Sequence, residues 1–464
     1  MKSLNPLKSA LIEVTGYALP SSAGHAGSPR LPTGRIGGHL LPFRRDPLAF
    51  LDAARHHGGA VPMRLGPRNA LLLTDPALAA QVLTADYGHF HKGQGLQSAR
   101  TLLGDGLLLS EGDTHRCQRK LVQPAFQPRR IEQYGPIVTD SAQRLMADWK
   151  PGDSLDLSQQ MTALTLIVVA RSLFASVIDD QVAQLSAAMD VMMASFGRHL
   201  SPLAPLLFRL PLPATRRYNE AAQTLDRNIR DLIDRRAGDA NPSGDLLGDL
   251  IAAHEGAATM SPTQLRDEVM TLLVAGHETT ANALAWTLYQ VTAHPHVDAR
   301  LAEEIRATVG DGLPTAQDLG RMPYLRQVIE ESLRLIPPVW LISRRSLQEQ
   351  QIGEHSAPRD TLVLISQYVM HRDERWFPDP TVFDPDRWAL AAHIDRPRFA
   401  YIPFGAGHRV CVGASFANIE LGLVLASLLA RWRFRLQPGF TPRIQPLITL
   451  RPAHGIPVTV EARV

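Results

Sequence analysis

The chain has 464 residues, of which 45% are hydrophobic and 20% are charged, so it is long enough to bury a large core and has the composition of a globular protein. Its 48 basic and 45 acidic residues leave a net charge of only +3, without the basic excess that marks nucleic-acid-binding proteins. Length alone would predict about three domains. The charge balance predicts no nucleic-acid partner.

The first 40 residues predict a proline- and glycine-rich arm. Their apolar stretch Ser9–Leu19 is interrupted by Glu13 and Gly16. It is too short and too broken to span a bilayer, and it lacks the uninterrupted apolar core of a signal peptide. The sequence therefore predicts no transmembrane anchor, with the globular part beginning at residue 41.

The globular part opens with a small β-rich region. Ala60–Leu65 and Ala70–Thr74 have the composition of strands, and Gly66–Asn69 between them has that of a turn. A helix is predicted over Pro76–Leu83. The stretch Asp86–Ser110 that follows is rich in Gly, His and Gln and predicts a loop.

Histidines occur at two places in the next part of the chain. His89 and His91 could ligate a metal, but a surface loop is the favoured interpretation because no third ligand stands near them. His115 and Arg119 are four residues apart in a helical pattern, so they share one face and could both reach one anionic group. A solvated basic face is the alternative for that pair.

The chain from Ile131 to about Arg236 is predicted to be helical, with little sign of strands. Within it, His199–Pro213 is apolar and broken by prolines, which indicates a connector in the core. The polar stretch Ala237–Gly244 is predicted to be a loop.

An unusual helix is predicted over Pro262–Thr292. Long apolar runs on both sides of Ala275-Gly-His-Glu-Thr-Thr280 indicate deep burial. Gly276 lowers helix stability by roughly 1 kcal/mol relative to Ala. An acid and hydroxyls are unusual in an apolar interior, where polar groups must be satisfied or functional. A helix with a solvent-facing polar turn is the alternative.

Glu331 and Arg334 lie near the end of a helix predicted from Pro323. Their three-residue spacing permits an ion pair on one face. Surface pairs of this kind are common and contribute less than about 1 kcal/mol.

The loop Phe404–Gly413 delivers Cys411 to the start of a long apolar helix. Backbone N–H groups and the helix dipole favour a thiolate there, and a thiolate ligates soft or borderline metals. Glycines at 405, 407 and 413 would let a flat cofactor approach the backbone, and Arg409 could pair with an anionic cofactor group. Taken alone, such a cysteine is usually a small buried hydrophobe, and a zinc site would need more ligands than the nearby His408.

The spacing of Phe404, Gly407, Arg409, Cys411 and Gly413 resembles the haem-binding loop of the cytochrome P450 family. Ala275–Thr280 resembles the oxygen-binding groove of that family. Glu331-Ser-Leu-Arg334 resembles its Glu-x-x-Arg motif, whose third member is Arg387. The motifs stand in the correct order, and the resemblance covers about residues 40 to 464.

The resemblance implies a fold and a domain organisation. The fold is mainly α with a small β-rich part near the N-terminus, and a long central helix lies over a haem. Residues 41–464 are expected to form one catalytic domain, because residues from 115 to 411 would serve a single cofactor. The apolar segment at 199–213 matches the lid over the substrate channel of the family.

The resemblance also implies roles for individual residues. Cys411 is the thiolate ligand of the iron, and Thr279 and Glu278 form the alcohol-acid pair that manages protons. The residues implied to bind the haem are His115, Arg119, Ala275, Gly276, Arg344, Phe404, Gly405, Arg409, Cys411 and Gly413. Those implied to line the substrate pocket are Val274, Val339, Leu341, Ile448 and Thr449. The buried structural cluster consists of Glu331, Arg334 and Arg387.

The activity implied is that of a haem-thiolate monooxygenase, which inserts one oxygen atom of O₂ into a C–H bond of an apolar small molecule by hydroxylation or epoxidation. The cofactor is haem b. Electrons are expected from NAD(P)H through a separate ferredoxin or flavodoxin with its reductase, because no reductase is fused to the chain. A peroxygenase, an isomerase or a dehydratase would use the same loop but commonly lacks the acid-alcohol pair. A haem-based sensor and a haem-free carrier of apolar ligands are further alternatives.

Two observations bear on partners and compartment. Arg116, Lys120, Arg129 and Arg130 are positive groups that could face an acidic electron donor. If Cys411 holds iron, Cys117 is the only other cysteine and no disulfide is possible, which fits a reducing cytoplasm. A cytoplasmic bacterial enzyme is the expectation.

Overall fold

The structure of the protein is a computed structural model. It describes residues 37–97, 99–175, 181–199, 212–238, 245–255, 260–389 and 395–463, together with the single positions 31, 208 and 210. The predicted N-terminal arm falls almost entirely outside the described residues. So do most of the segment at 199–213 and the polar loop from residue 239 to 244.

Helices dominate the described part of the chain, which confirms the mainly α fold with a small β part. The helices are α1 (Leu40–Arg45), α2 (Pro47–Arg55), α3 (Pro76–Leu83), α4 (Gln94–Gln97), α5 (Arg100–Leu103), α6 (Gly112–Val122), α7 (Pro128–Met146), α8 (Leu157–Phe174), α9 (Val182–His199), α10 (Pro213–Ala237), α11 (Leu246–Glu255), α12 (Pro262–Ala293), α13 (Pro295–Val309), α14 (Pro323–Leu335), α15 (Gln367–Met370) and α16 (Ala414–Arg431). The strands are β1 (Ala60–Leu65), β2 (Arg68–Leu73), β3 (Phe90–Lys92), β4 (Ser154–Asp156), β5 (Ile342–Ser346), β6 (Gln350–Ile352), β7 (His355–Ala357), β8 (Leu362–Ile365), β9 (Trp432–Leu436), β10 (Ile444–Pro446), β11 (Leu450–Pro452) and β12 (Pro457–Ala462).

The described residues form two compact units. The first contains residues up to 96, 340–381 and 395–410, and it holds the five-stranded sheet of order β1-β2-β8-β5-β3 and the hairpin β6-β7. The second contains 97–339, 382–389 and 411–463, with the sheet β4-β12-β9 and the hairpin β10-β11. The expectation of one catalytic domain stays a prediction.

Local sequence signals explain the start of the first unit. Strands β1 and β2 pair antiparallel across Gly66-Pro67, and Gly66 has φ +66°, a conformation that favours glycine. The Asp75 side chain caps α3 by accepting hydrogen bonds from the Ala77 and Leu78 N–H groups, and Pro76 occupies the first turn. Side chains of α3 and the sheet form one apolar core, in which each fully buried Val or Leu contributes roughly 1.5–3 kcal/mol.

Two short strands depart from the sequence expectations. The predicted loop over Asp86–Ser110 contains β3, in which His91 pairs with Arg345 of β5, as well as the short helices α4 and α5. The region predicted to be helical from Ile131 contains β4, which pairs with β12. Each strand is only three residues long, so its pairing depends on a distant partner and leaves no local periodicity to detect.

The central element of the second unit is α12, a helix of 32 residues. It begins with a capping box, in which the Ser261 hydroxyl accepts from the Gln264 N–H and the Gln264 side chain accepts from the Ser261 N–H. It ends before Pro295, because the residue that precedes a proline avoids the helical conformation. The predicted bounds are therefore correct to within one residue at the C-terminal end.

Other helices of the second unit surround α12. It packs against α8, α10, α14 and α16. Trp286 of α12 is 1% exposed, and its indole N–H donates a 2.9 Å hydrogen bond to the Leu450 carbonyl of β11. A 2.9 Å hydrogen bond from the Thr287 hydroxyl to the Ser332 hydroxyl joins α12 to α14.

Two described helices, α8 and α16, are long and apolar enough to cross a membrane by length and composition alone. In each, 61% of the apolar window is buried inside the protein. Core helices of globular proteins commonly pass the same test, so this finding is weak support for a membrane span.

Candidate active site

The loop before Cys411 belongs to the first unit and is shaped by close backbone contacts. Gly405 and Gly407 have φ of +71° and +70°. A Cβ at position 407 would lie 1.9 Å from the Leu83 carbonyl oxygen, so only glycine fits there. Phe404 lies in the same turn and is partly exposed, as is Arg409, whose guanidinium lies 5.6 Å from the centre of the Tyr87 ring.

Cys411 belongs to the second unit and lies three residues before Ala414, the first residue of α16. The residue is exposed, so its sulfur is accessible to a ligand. Protein atoms nonetheless surround the sulfur, and this desolvation raises the pKa of the thiol, against smaller lowering effects of the Gly413 N–H and the Arg119 charge. The thiolate expected from the helix dipole alone is therefore not the favoured form of the free cysteine, which ionises when a metal replaces its proton.

Helix α6 brings two of the predicted cofactor-binding residues to the same face. His115 is 2% exposed and Arg119 is partly exposed. Arg119 lies close enough to Cys411 for its charge to lower the thiol pKa. Within the second unit, the structure thus brings His115, Arg119 and Cys411 into one region.

The first unit contains a pair of buried cations. Arg344 is 8% exposed, and directly opposite it in the antiparallel pairing of β3 with β5 lies Lys92, 7% exposed. Like charges at opposed positions of a sheet repel each other, and an anionic group between them would reduce that repulsion. Lys92 was missed in the sequence analysis, because only the pairing of β3 with Arg344 gives it significance.

The motif on α12 presents a partly exposed face. Ala275, Gly276 and Thr279 are partly exposed, whereas the flanking Val274 and Glu278 are buried. Ala275 and Thr279 are one turn apart, so they share this face, along which a ligand could contact the helix. The Thr279 hydroxyl donates a 2.8 Å hydrogen bond to the Ala275 carbonyl oxygen.

Glu278 is 5% exposed and bound by three side chains of the second unit. The Thr449 hydroxyl and the Arg451 Nε each donate a 2.6 Å hydrogen bond to Oε1, and Arg451 Nη2 donates to Oε2. Asn282 Nδ2 adds a 3.2 Å hydrogen bond to Oε1. Burial raises the pKa of this carboxyl, but Arg451, His277 and Thr449 together outweigh it, so that the pKa is lowered and Glu278 is ionised at neutral pH.

A second acid, Glu420 of α16, was missed in the sequence analysis. It is fully buried, and neither carboxyl oxygen makes a hydrogen bond of good geometry within the described part of the chain. Burial raises the pKa of its carboxyl well above the ordinary range, with a smaller lowering effect of the Thr280 hydroxyl. Burial therefore favours the protonated form of Glu420, and a lone acid in the apolar run of α16 was the signal that could have indicated it.

The predicted substrate-pocket residues differ in their surroundings. Val339 and Ile448 of the second unit and Leu341 of the first are partly exposed, whereas Val274 is 7% exposed. Thr449 is 2% exposed, and its hydroxyl is engaged by Glu278. Its role in the pocket stays a prediction.

The three residues of the predicted structural cluster meet in the second unit. Glu331 and Arg334 are both 0% exposed. Arg334 donates two hydrogen bonds of 2.8 Å to the Glu331 carboxylate, and Arg387 Nε donates a third of 3.1 Å. The Trp388 indole N–H and the Asp384 backbone N–H donate to the same carboxylate at 2.9 and 3.0 Å.

The chemistry of these side chains fits a haem. Among the described residues, no group of three His, Cys, Asp or Glu side chains could hold a metal ion by itself. Cys411 offers one accessible sulfur, which suits an iron whose other ligands come from a porphyrin. Basic side chains suit the carboxylates that such a group carries: His115 and Arg119 in the second unit, and Arg344 and Arg409 in the first.

Known sequences agree with this assignment. The sequence profile of the cytochrome P450 family matches residues 29–456. Cyclooctatin synthase from Streptomyces melanosporofaciens is 38% identical over 91% of this chain and 93% of its own length. Cyclooctat-9-en-7-ol 5-monooxygenase from the same species is 38% identical over 87% and 88%, and pentalenene oxygenase from Streptomyces avermitilis is 32% identical over 92% and 96%.

Solved structures agree as well. The crystal structure of the cytochrome P450DA heme domain superposes with a TM-score of 0.83 at 26% identity, covering 93% of this chain and 97% of that one. Retinoic-acid-bound cyanobacterial CYP120A1 superposes with a TM-score of 0.81 at 27% identity, covering 92% and 96%. The chain therefore belongs to the cytochrome P450 family and is a haem-dependent monooxygenase, which oxidises an apolar substrate with O₂ and electrons from a redox partner.

Proposed function

We propose that this monooxygenase hydroxylates a terpenoid skeleton. The observation that carries the proposal is the similarity, over most of both chains, to enzymes named for the oxidation of cyclooctat-9-en-7-ol and of pentalenene. Both names describe molecules that are almost entirely hydrocarbon. The uncharged side chains of Val274, Val339, Leu341 and Ile448 support a substrate of that kind, because an apolar ligand is bound mainly by burial of its surface.

Haem b supplies the chemistry of O₂ activation, and the chain binds and orients it. Cys411 would be the protein ligand to the iron, through a sulfur that loses its proton on binding. His115, Arg119, Arg344 and Arg409 would bind its carboxylates, together with Lys92, which lies opposite Arg344 in the sheet. Phe404, Gly405, Gly413, Ala275 and Gly276 would lie against the cofactor, where small or planar groups permit close approach.

Thr279 and Glu278 have different roles in handling protons. The Thr279 Oγ1 lies on the partly exposed face of α12 and can exchange its hydrogen bond with the Ala275 carbonyl for one to the reacting oxygen. Glu278 holds no proton at neutral pH, because its pKa is lowered, so it acts as an acceptor that orders the proton path. Delivery by a positioned group typically contributes about 10²–10⁴ in rate.

Replacing Thr279 with alanine is expected to uncouple the enzyme. The variant should bind haem, substrate and O₂ and still consume NAD(P)H, but release much of the reduced oxygen as hydrogen peroxide, because a timely proton is missing. The quantity to measure is product formed per NAD(P)H. Thr279→Ser is the matched control, since it retains the hydroxyl and should retain most of the coupling. An unchanged ratio in Thr279→Ala would remove Thr279 from the mechanism and favour a peroxygenase.

A panel of lipophilic compounds tests the substrate class. Terpene hydrocarbons and terpene monoalcohols are compared with fatty acids, steroids and polyketides of similar size. Binding is followed by the spectral change that accompanies loss of the water ligand from the iron. We expect saturable changes with the terpenoids alone, followed by monohydroxylated products in turnover. Tighter binding of any other class, with product formation, would overturn the terpenoid assignment.

The redox partner is proposed to be a small acidic ferredoxin or flavodoxin with its own reductase, and the compartment is proposed to be the cytoplasm. Arg116, Lys120 and Arg129 are exposed and could attract such a donor. Arg130 is a weaker candidate because it is half-buried, and both Arg130 and Arg116 form ion pairs, with Asp249 at 3.6 Å and Asp113 at 3.2 Å. A cytoplasmic location is supported by the two cysteines, both of which are free.

A further inference from the structure

A single arginine joins three elements of the second unit. Arg451 lies on β11, and the residue before it is fixed on both sides. The Leu450 N–H donates a 2.9 Å hydrogen bond to the Pro338 carbonyl, and the Leu450 carbonyl accepts one of 2.9 Å from the Trp286 indole. The base of the Arg451 side chain is therefore held against α12, where Glu278 lies.

The guanidinium of Arg451 is shared between two carboxylates. It binds Glu278 of α12 through Nε and Nη2, a two-point geometry that orients the carboxylate as well as attracting it. Its Nη1 donates a 2.8 Å hydrogen bond to Asp190 Oδ1 of α9. The side chains of Glu278, Arg451 and Asp190 are 5%, 18% and 62% exposed, so the network leads from the interior to the surface.

The buried end of this network depends on Arg451. Burial disfavours the carboxylate form of Glu278, and the groups that oppose burial are Arg451, His277 of the same helix and the Thr449 hydroxyl. The pKa of His277 is itself lowered by burial, so it is neutral at pH 7 and adds little charge. Among the described side chains of α9, Asp190 contacts this network, and it does so through Arg451.

We propose that Arg451 is a positioning residue, which keeps Glu278 ionised and correctly oriented beside Thr279 and ties this carboxylate to helix α9 through Asp190. The expected effect of Arg451 on turnover rests on the proposed proton-handling role of Glu278. Its effect on the charge and orientation of Glu278 does not depend on that role. Asp190 thereby links helix α9 to the arginine that holds Glu278.

The charge state of Glu278 is the first test. Infrared difference spectra of the haem-loaded protein report the C=O stretch of a protonated carboxyl. At pH 7 we expect this band to be stronger in Arg451→Gln than in the wild type. The double variant Arg451→Gln/Glu278→Gln should show no such gain, because it lacks the carboxyl. In Arg451→Lys, which retains the charge, the band should stay close to the wild-type level. No gain of the band in a folded Arg451→Gln protein would overturn the proposal.

The pH dependence of stability is the second test, and it can be measured even if Arg451→Gln is less stable than the wild type. In the wild type, the lowered pKa of Glu278 contributes stability that is present above about pH 4.5, the ordinary value for a glutamate, and is lost as the pH falls through the lowered pKa. Without Arg451, burial raises that pKa, so stability is lost as the pH rises above 4.5. The difference in Tm between wild type and Arg451→Gln should therefore grow from pH 4 to pH 7, and Arg451→Gln/Glu278→Gln should not show this growth. A pH-independent difference would contradict the inference.

The link to α9 is the third test. Hydrogen exchange of the amides in Val182–His199 should accelerate by up to about fivefold in both Asp190→Asn and Arg451→Gln, the size expected for loss of a mostly exposed ion pair. Exchange should not accelerate in Glu278→Gln, which keeps that pair. Equal exchange in all four proteins would overturn the link.

Turnover separates this inference from the proposed function. If Glu278 orders the proton path, Arg451→Gln lowers product per NAD(P)H and Arg451→Lys largely restores it. If the infrared and stability results are as expected but coupling in Arg451→Gln and Glu278→Gln equals that of the wild type, the positioning is correct and the proton-handling role of Glu278 fails. A third outcome is that Glu278→Gln lowers product per NAD(P)H, while Arg451→Gln shows neither a stronger infrared band nor a change in that ratio. The role of Glu278 then stands, and the inference about Arg451 fails.

Discussion

Replacing Cys411 with serine is expected to abolish the spectrum of thiolate-bound haem and all turnover. The reduced wild-type protein with carbon monoxide should show the far-red Soret band that a thiolate ligand produces. A serine hydroxyl is a much weaker electron donor to iron and is not ionised at neutral pH. The measurement is the carbon monoxide difference spectrum at matched haem content, followed by product formation with a reductase system.

Cys117→Ser is the matched control for this experiment. Cys117 is the other cysteine of the chain, is free and exposed like Cys411, and lies on α6 close in sequence to His115 and Arg119. Its replacement should leave both the Soret band and the activity unchanged. A wild-type spectrum in Cys411→Ser, or loss of the band in Cys117→Ser instead, would contradict the assignment of the ligand.

Local signals predicted several elements of the fold accurately. The bounds of β1 and α3 match the structure because a hairpin glycine, a capping aspartate and an N-terminal proline are read from adjacent residues. The start of α12 follows in the same way from Ser261, Pro262 and Gln264. Strands β3 and β4 were missed because three residues cannot display a period, and their existence depends on partners more than 200 residues away.

The candidate site shows the same division. Cys411, Thr279 and Glu278 stand in motifs whose spacing identifies the family. Arg451 and Lys92 stand in no such motif. Each is recognised only through a residue on another element, Glu278 for Arg451 and Arg344 for Lys92. Long-range pairing of charges is a property of the folded chain, and the sequence contains many other arginines, several of which make surface pairs.

The pKa of Cys411 shows why a motif does not determine the charge state of its residues. The helix dipole favours a thiolate, as expected from the sequence, and the structure adds the charge of Arg119 to that effect. Desolvation acts in the opposite direction and is the larger effect in this structure, so the pKa of the free thiol is raised. Charge state depends on how much water surrounds a group, which is set by tertiary packing.

The Glu331–Arg334–Arg387 cluster yields a prediction about folding rather than chemistry. Glu331→Ala is expected to lower the free energy of unfolding by about 3–5 kcal/mol and to give protein with little haem, because it removes the carboxylate shared by two buried arginines. Arg334→Ala should also destabilise the protein, but by less. The Glu331 carboxylate would still accept hydrogen bonds from Arg387, Trp388 and the Asp384 N–H.

Arg326→Ala is the matched control for these two variants. Arg326 lies on the same helix, α14, and its 3.8 Å ion pair with Glu330 is exposed, with 61% of the arginine side chain accessible. Such a pair contributes at most about 1 kcal/mol. Denaturant unfolding and haem content should therefore rank Glu331→Ala below Arg334→Ala and both below Arg326→Ala, which should resemble the wild type. Equal stability and full haem occupancy in all three variants would show that the buried cluster contributes no more than a surface contact. A larger loss of stability in Arg334→Ala than in Glu331→Ala would show that the remaining donors do not compensate the Glu331 carboxylate.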